Sequence, residues 1–473
     1  MKKLSELYSG YPDILINDIK INSKEVHEND LFVCIKGVTT DRHDYVLDAI
    51  KNGAVAIVAS KKIDVSVPVI YVDDTNKELV NLCRKFYDYH DELDIIGITG
   101  TNGKTTVAGI IKDLIGNKCG YMGTNGIISK SFNEKIRNTT PDADRLYKYF
   151  RKFIDDDCKY LSMEASSEAF FRNRLDSIMF KVGIITNITE DHLNVHKTIE
   201  NYVASKQEII NHIKSDGVLI LNTDDKYYLD TRNKTNGKIL TFGKKNADLE
   251  IVKVKEFINK TDITLKYQDK LYDIISPLLG EFNVYNLCAA ILTLLVLNYS
   301  IEEIIKNISN IKVPKGRMEF LKCHDGYNVI IDYAHTPDAF KKIYEFLNKV
   351  KTGKIITVTG SAGGREHEKR KDMGKIVLDN SDYCIFTMDD PRDEDVNEII
   401  DELIGDSKKT NYERIINRSE AIKKAIDMAN KDDIILIAGK GDDNYMAIGN
   451  EYVPYKDEDV VVNYFQAKYH NEL

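Results

Sequence analysis

The stretch Gly97-Ile98-Thr99-Gly100-Thr101-Asn102-Gly103-Lys104-Thr105-Thr106 carries the residue types needed to hold a triphosphate. Its glycines let backbone N–H groups approach phosphate oxygens, and a helix starting at Lys104 adds unsatisfied donors and the positive end of its dipole. Lys104 is placed for the β- and γ-phosphates, and the Thr105 hydroxyl for Mg²⁺. Ile95-Ile96 ahead of the loop, with Val107, Ile110, Ile111 and Leu114 at helical spacing behind it, predicts strand, loop and helix in that order. The common form G-x-x-x-x-G-K-[ST] asks for glycine where this chain has Ile98. A chance glycine turn before a helix is the competing reading. The Gly103-Lys104-Thr105-Thr106 core after a strand weighs against it.

A bound triphosphate needs a metal, and the metal needs oxygen or imidazole ligands. Glu164 is a candidate because it ends the apolar run Tyr160-Leu161-Ser162-Met163. Thr189-Glu190-Asp191-His192-Leu193-Asn194-Val195-His196 follows the next apolar run, and position alone does not choose between His192 and His196. Arg317, Asp332 and His335 flank apolar segments further on. An arginine fork neutralises a transferred phosphoryl group well, though an ordinary turn with a solvated arginine fits the same pattern. Arg365 and Arg392 follow two later strands, where each could clamp a carboxylate or lie as a surface charge.

Three sets of elements must position these groups. Residues 1–92 alternate short apolar runs, Asp30 to Ile35 and Ala54 to Ala59, with polar turns, and a charged helical stretch from Lys77 to Glu92 closes them. Residues 93–312 hold the loop and the further strands Tyr160–Glu164, Val182–Asn187 and Val218–Asn222 with helical spacing between, which predicts a doubly wound parallel sheet. The polar stretch Asn233–Ile275 reads as strands and loops, and a helix is expected from about Asn283 to Leu297. In residues 313–473 a second α/β sheet is expected from Asn328–Asp332, Ile355–Val358, Tyr383–Phe386 and Ile434–Ile437. Helices at Val396–Ile404 and Ala421–Met428 accompany it, and Thr336-Pro337 opens another. G-x-G-x-x-G is absent, so a nicotinamide cofactor is not indicated.

The bulk numbers agree with a multidomain enzyme. The chain has 473 residues, 42% apolar and 30% charged, with a net charge of −9 that argues against a nucleic-acid surface. Its seven cysteines show no C-x-x-C pairing, which points to a reducing cytoplasm and away from a zinc cluster or disulfide framework. There is no run of about 18 apolar residues to cross a membrane, and no apolar stretch follows Met1-Lys2-Lys3 as a secretory signal would require. Composition and pattern therefore reach a cytoplasmic three-domain enzyme using ATP and Mg²⁺. They do not separate a kinase from a ligase.

The order of motifs goes further. Thr99 to Thr106, Asn138-Thr139-Thr140-Pro141-Asp142, Met163-Glu164-Ala165-Ser166-Ser167, Thr186-Asn187 with Asp191-His192-Leu193, Phe282-Asn283-Val284-Tyr285-Asn286, Gly316-Arg317-Met318-Glu319, Asp332 to Ala339, Asp389-Asp390-Pro391-Arg392 and Ala438-Gly439-Lys440-Gly441 occur in this sequence. The set resembles the Mur ligases, most of all the UDP-N-acetylmuramoyl-tripeptide synthetases of the MurE type. Ile98 is explained, since the loop has that family's T-G-T-N-G-K-T-T form. The resemblance implies a UDP-binding domain, a central P-loop ATPase domain and a Rossmann-like C-terminal domain. It implies that ATP, UDP-MurNAc-L-Ala-D-Glu and an amino acid, meso-diaminopimelate or L-lysine, give a UDP-MurNAc-tripeptide through an acyl phosphate. A monomer in the cytoplasm, serving peptidoglycan synthesis, is expected.

By the same resemblance, Ser23, Val38, Thr39 and Thr40 match UDP contacts. Thr139, Thr140, Ser166, Arg172 and Arg174 match contacts to the muramoyl peptide. Thr105, Glu164, His192 and a carbamylated Lys206 match the metal shell, which favours His192 over His196 by likeness alone. Gly100, Thr101, Asn102 and Gly103 cradle phosphate, while Asn283, Arg317 and Asp332 match the adenine, γ-phosphate and ribose sides. Arg365, Asp389, Asp390, Pro391, Arg392, Gly439 and Asp443 match the pocket for the incoming amino acid.

Four departures from the family pattern stand out. Glu168 replaces the usual His, Gly360 to Glu366 replaces G-C-G-G-D-R-D and so puts Gly364 at its fifth position, Asp390 replaces Asn in D-N-P-R, and Asp442-Asp443 replaces His-Glu. Three of the four concern the amino-acid pocket. Arg392 suits a second carboxylate on the acceptor, while Asp443 reaches one methylene less far toward an ammonium. Other readings are a divergent paralogue with a non-standard acceptor, a folylpolyglutamate-synthase-like ligase, and an inactive nucleotide-binding module.

Overall fold

The computed structural model describes residues 1–37, 40–136, 138–191, 193–322, 326–364 and 367–470. It divides into two compact units, Met1–Leu221 with Lys226–Leu240, and Asn222–Asp225 with Thr241–Leu473.

The first unit begins with a four-stranded parallel sheet in the order Ile19–Lys20, Asp30–Val33, Ala54–Ala59 and Val69–Tyr71. Helix Thr75–Phe86 follows, shorter and earlier than Lys77 to Glu92. Asp74 caps its start by accepting from the Asn76 and Lys77 N–H groups, and Asp88 beyond its end takes a positive φ of 51°, which an α-helix cannot. Five parallel strands then stand in the order Cys119–Gly123, Tyr160–Glu164, Asp94–Thr99, Phe180–Ile185 and Ile213–Asn222. The central ones are buried on both faces, Ser162 and Glu164 included. An antiparallel ribbon, Gly126–Ile128 with Asn133–Glu134, extends the Cys119–Gly123 edge.

Register places Glu164 beside Ile98 and Ile185 beside Thr99, so three carboxyl ends meet at the glycine loop. This is where open α/β sheets bind ligands. Phe180–Ile185 ends two residues before Asn187, which therefore lies in the following loop. One continuous apolar core runs from Leu4, Leu31, Phe86 and Tyr89 to Leu146, Tyr147 and Phe150 of helix Ala143–Asp155.

In the second unit, the stretch expected as strands and loops forms an antiparallel meander, Leu249–Phe257, Lys260–Tyr267 and Lys270–Ser276. Helix Glu281–Val296 is buried along most of its length. A six-stranded sheet follows in the order Glu319–Lys322, Asn328–Asp332, Ile434–Ala438, Ile355–Thr359, Tyr383–Phe386 and Tyr412–Arg414, parallel except for its first strand. Separate apolar cores lie on its two faces, so it is doubly wound. Thr336 caps helix Pro337–Val350 by accepting from the Ala339 N–H, with Pro337 in the first turn, as the sequence predicts.

Arg418 and Asp457 form a two-pronged ion pair with both side chains fully buried (Nε–Oδ1 and Nη2–Oδ2 both 2.8 Å), completed by the Ala438 carbonyl and the Tyr455 hydroxyl. Arg418→Met leaves the Asp457 carboxylate uncompensated. The substitution is expected to cost about 3–5 kcal/mol, checked by urea unfolding. Among the described residues no helix is long and apolar enough to cross a membrane.

Candidate active site

The glycine loop is pinned by the segment that follows strand Phe180–Ile185. Asn187 accepts from the Asn102 N–H and donates to the Asn102 carbonyl, both at 3.0 Å, while its own carbonyl accepts from the Thr101 N–H at 2.8 Å. Thr186 Oγ1 donates to the Asn102 carbonyl at 2.6 Å. Gly100 has φ +146°, and a Cβ there would lie 1.9 Å from Thr186 Oγ1. Gly100→Ala must therefore move the loop, and about 10²-fold lower kcat/KM is expected from a displacement of this size. Steady-state kinetics check it.

Gly103 caps helix Lys104–Ile115 in a left-handed conformation, and Thr105 and Thr106 are buried in its first turn. Lys104 Nζ folds back on the Gly100 and Thr101 carbonyls at 2.7 and 2.9 Å. Lys206, at the end of helix Ile199–Gln207, reaches the same Gly100 carbonyl at 2.8 Å and lies 4.4 Å from the centre of the Tyr202 ring. Lys206 is 1% exposed. Burial first, then the neighbouring Lys104 charge, hold its amine well below the usual lysine range, with Asp191 pulling the other way. The neutral amine is therefore favoured, and a neutral amine is a nucleophile.

Glu164 is fully buried and accepts from the Tyr121 hydroxyl (2.6 Å), the Thr124 N–H (3.0 Å) and the Thr124 hydroxyl (3.2 Å). His196 is buried too, against the Phe171 and Tyr202 rings, with Nε2 3.1 Å from Ser167 Oγ. His192, Arg365, Val38 and Thr39 lie outside the described residues. Glu164, Thr105 and Lys206 offer carboxylate, hydroxyl and, once carbamylated, a second carboxylate, which is the hard-oxygen chemistry that suits Mg²⁺.

Thr140 Oγ1 bridges the Glu164 carbonyl (2.9 Å) and Ser166 Oγ (3.3 Å), and Thr139 Oγ1 lies 3.3 Å from Thr124 Oγ1. Arg174 pairs with Asp142 at 2.8 Å and donates to the Thr140 carbonyl at 3.3 Å. Arg172 pairs with Glu168 at 2.7 Å, so this departure from the family pattern supplies Arg172 with a carboxylate of the chain's own. Ser23 is buried at the start of a short turn, its carbonyl accepting from Asn52 Nδ2 at 2.8 Å, and the Thr40 carbonyl accepts from the Gly37 N–H at 2.9 Å.

In the second unit, the Arg317 guanidinium lies 4.5 Å from the centre of the Tyr333 ring. Asp332 is buried and accepts from the Met318 and Ala334 N–H groups, both at 2.7 Å. Burial raises its carboxyl and the Arg317 charge draws it back. Asn283 is buried, donating to the Leu279 carbonyl and accepting from Asn286.

Three acids of the set matched to the incoming amino acid, Asp389, Asp390 and Asp443, surround Lys440. Fully buried, Lys440 sits 2.7 Å from Asp390, 3.7 Å from Asp443 and 3.9 Å from Asp389. Burial pushes Asp389 up to about 6, with Arg418 and Lys440 opposing. A Cβ on Gly439 would lie 2.1 Å from Asp389 Oδ2, so only glycine fits. Pro391 precedes Arg392, which is exposed with φ +52° and hydrogen-bonds through its backbone to Ala447 and Gly449. The Gly364 N–H donates to Glu394 at 2.5 Å. Lys440, Tyr202 and Asn187 are structural parts of these sites that motif spacing alone could not rank. The signal for Lys440 is its place between two glycines.

The chain matches three domain descriptions in order: the Mur ligase family catalytic domain over residues 15–99, the Mur ligase middle domain over 98–294, and the Mur ligase glutamate ligase domain over 316–441. The chain belongs to the Mur ligase family and is a ligase. Among its relatives, UDP-N-acetylmuramoyl-L-alanyl-D-glutamate--2,6-diaminopimelate ligase 2 of Clostridium acetobutylicum is 39% identical, over 96% of each chain. The ligase of that name without the numeral, from Fusobacterium nucleatum, is 37% identical over 93% of this chain and 92% of its own. A solved structure of a UDP-N-acetylmuramoyl-L-alanyl-D-glutamate--2,6-diaminopimelate ligase superposes with a TM-score of 0.69 at 26% identity, over 99% of both chains. The MurF ligase of Thermotoga maritima in complex with ADP shares the fold at TM-score 0.67 and 21% identity, over 98% of this chain and 100% of its own.

Proposed function

We propose that this chain joins meso-diaminopimelate to the D-glutamate of UDP-MurNAc-L-Ala-D-Glu at the expense of ATP, in peptidoglycan precursor synthesis. The observation that carries it is the meeting of Lys104 and buried Lys206 on the Gly100 carbonyl in a chain similar over nearly its whole length to ligases named for that reaction. The D-glutamate γ-carboxylate attacks the γ-phosphorus and ADP leaves. The acceptor amine then attacks the acyl phosphate, and the tetrahedral intermediate expels phosphate. Both steps gather negative charge, which Lys104 and Arg317 neutralise.

The Lys206 amine takes up CO₂, forming an N–C bond and releasing a proton, and becomes a carbamate anion. Glu164, Thr105, His192 and that carbamate would hold Mg²⁺, which would supply charge neutralisation at the phosphates. Thr139, Thr140, Ser166 and Arg174 orient the peptide, and Ser23 and Thr40 the nucleotide. Arg392 takes the acceptor's second carboxylate and Asp443 its far ammonium. Phosphate release is measured with the UDP-dipeptide, ATP and Mg²⁺ against meso-diaminopimelate, L-lysine and L-ornithine. Release is expected with meso-diaminopimelate. Release with none of the three refutes the proposed reaction, and release with L-lysine alone reassigns the acceptor.

A further inference from the structure

Asp442 stands where the family pattern has a histidine, and the ligase chemistry above gives it no task. Its carboxylate pairs with Lys456 at 2.9 Å, and Lys456 pairs with Glu458 at the same distance. Glu458 pairs in turn with Lys315, and Lys315 with Glu319 at 3.0 Å. Glu319 accepts from the Gly316 N–H at 2.8 Å. Side chains of alternating charge therefore run from the residue before Asp443 to the residue before Arg317. The two loops also meet backbone to backbone, because a Cβ on Gly316 would lie 2.1 Å from the Asp442 nitrogen.

An isolated ion pair on the surface holds little in place, since water screens it and two long side chains lose entropy. This network differs. Asp442, Lys456, Glu458 and Glu319 are each no more than 24% exposed, and of its members only Lys315 stands well out in solvent. Burial works against the Lys456 charge, but Glu458 and Asp442 outweigh it and hold the amine above the usual lysine range. Lys456, Glu458 and Lys315 each have two partners of opposite sign, so the loss of one unbalances both its neighbours. A histidine in place of Asp442 would offer Lys456 no anion, and the alternating run would stop short of the acceptor loop.

We propose that Asp442 and Lys456 are positioning residues that hold the Arg317 loop in register with the loop bearing Asp443. The guanidinium then meets a transferred phosphoryl group at a fixed place relative to the acceptor. The inference rests on the proposed roles of Arg317 and Asp443, and it concerns two residues to which that reading gives no part.

The test is a double-mutant cycle on the full chain. Lys456→Met keeps most of the stem and removes the charge. It is expected to lower kcat for phosphate release about tenfold, with the KM for ATP changed by less than about twofold, because a shifted arginine slows the reaction while the glycine loop keeps the nucleotide. In the Arg317→Ala background the same substitution should lower kcat no further, since the group it positions is gone. Amide exchange at residues 313–319, measured without substrates, is expected to quicken about tenfold in Lys456→Met. Asp442→Asn, which keeps the shape, repeats both effects on a smaller scale and decides if Lys456→Met does not fold. An equal loss of kcat in the two backgrounds overturns the proposal, as does exchange at 313–319 as slow as in the wild type. Quickened exchange in a protein that releases no phosphate with any acceptor sinks the proposed reaction and leaves the tie between the loops standing.

Discussion

Replacing Lys206 with alanine is expected to lower kcat by about 10³-fold, roughly 4 kcal/mol of barrier, and added formate or acetate is expected to restore part of the loss. An ammonium at this place would be buried beside the Lys104 charge. The fold instead favours the neutral amine, and the amine's reaction with CO₂ turns a cation into a metal-binding anion. A small carboxylate diffusing into the space left by alanine supplies the same charge at the same place. Native mass spectrometry of the wild type should show one added CO₂ that the variant lacks. Full activity in Lys206→Ala without any additive would falsify this role.

Arg317→Ala is the second large effect, with kcat expected to fall by about 10³-fold, as for other arginines that neutralise a transferred phosphoryl group. Affinity for ADP should change by less than about threefold, because the diphosphate is the business of the glycine loop. The planar guanidinium is set by the Tyr333 ring at 4.5 Å, with buried Asp332 as its charge partner. Arg317→Lys keeps the charge but loses the fork and the ring contact, and should recover only a small part of the rate. An unchanged kcat in Arg317→Ala would remove the residue from the chemistry.

The parts of the site that could be read from the chain are those where local geometry and chemistry coincide. Gly100 and Gly103 take positive φ beside a strand and a helix, and Glu164 ends a strand in register with that loop. Thr336 caps where Pro337 demands a helix start. What residue pattern alone, without the family resemblance, does not reveal depends on tertiary contact. Lys206 has the spacing of any surface lysine on a nine-residue helix, and only the packing of Tyr202 and the glycine loop over it makes it a buried amine. The meander Leu249–Ser276 carries Lys, Asp and Glu among its apolar residues. Half-buried strands of that kind leave a weak alternation that does not fix their bounds.

The apolar core that joins Leu31, Phe86 and Tyr89 to Leu146, Tyr147 and Phe150 has a practical consequence for dissecting the molecule. The ring centroids of Tyr89, Tyr147 and Phe150 lie within 5.5 Å of one another in edge-on or tilted contacts, and Arg84 lies over two of them. A cut at residue 92 would not free a nucleotide-binding cassette. It would lay bare two matching greasy faces, each a seed for aggregation. Chimaeras that exchange only the first 92 residues between relatives would inherit mismatched halves of one core. An exchange that carries Ala143–Asp155 along with them keeps those aromatic contacts intact.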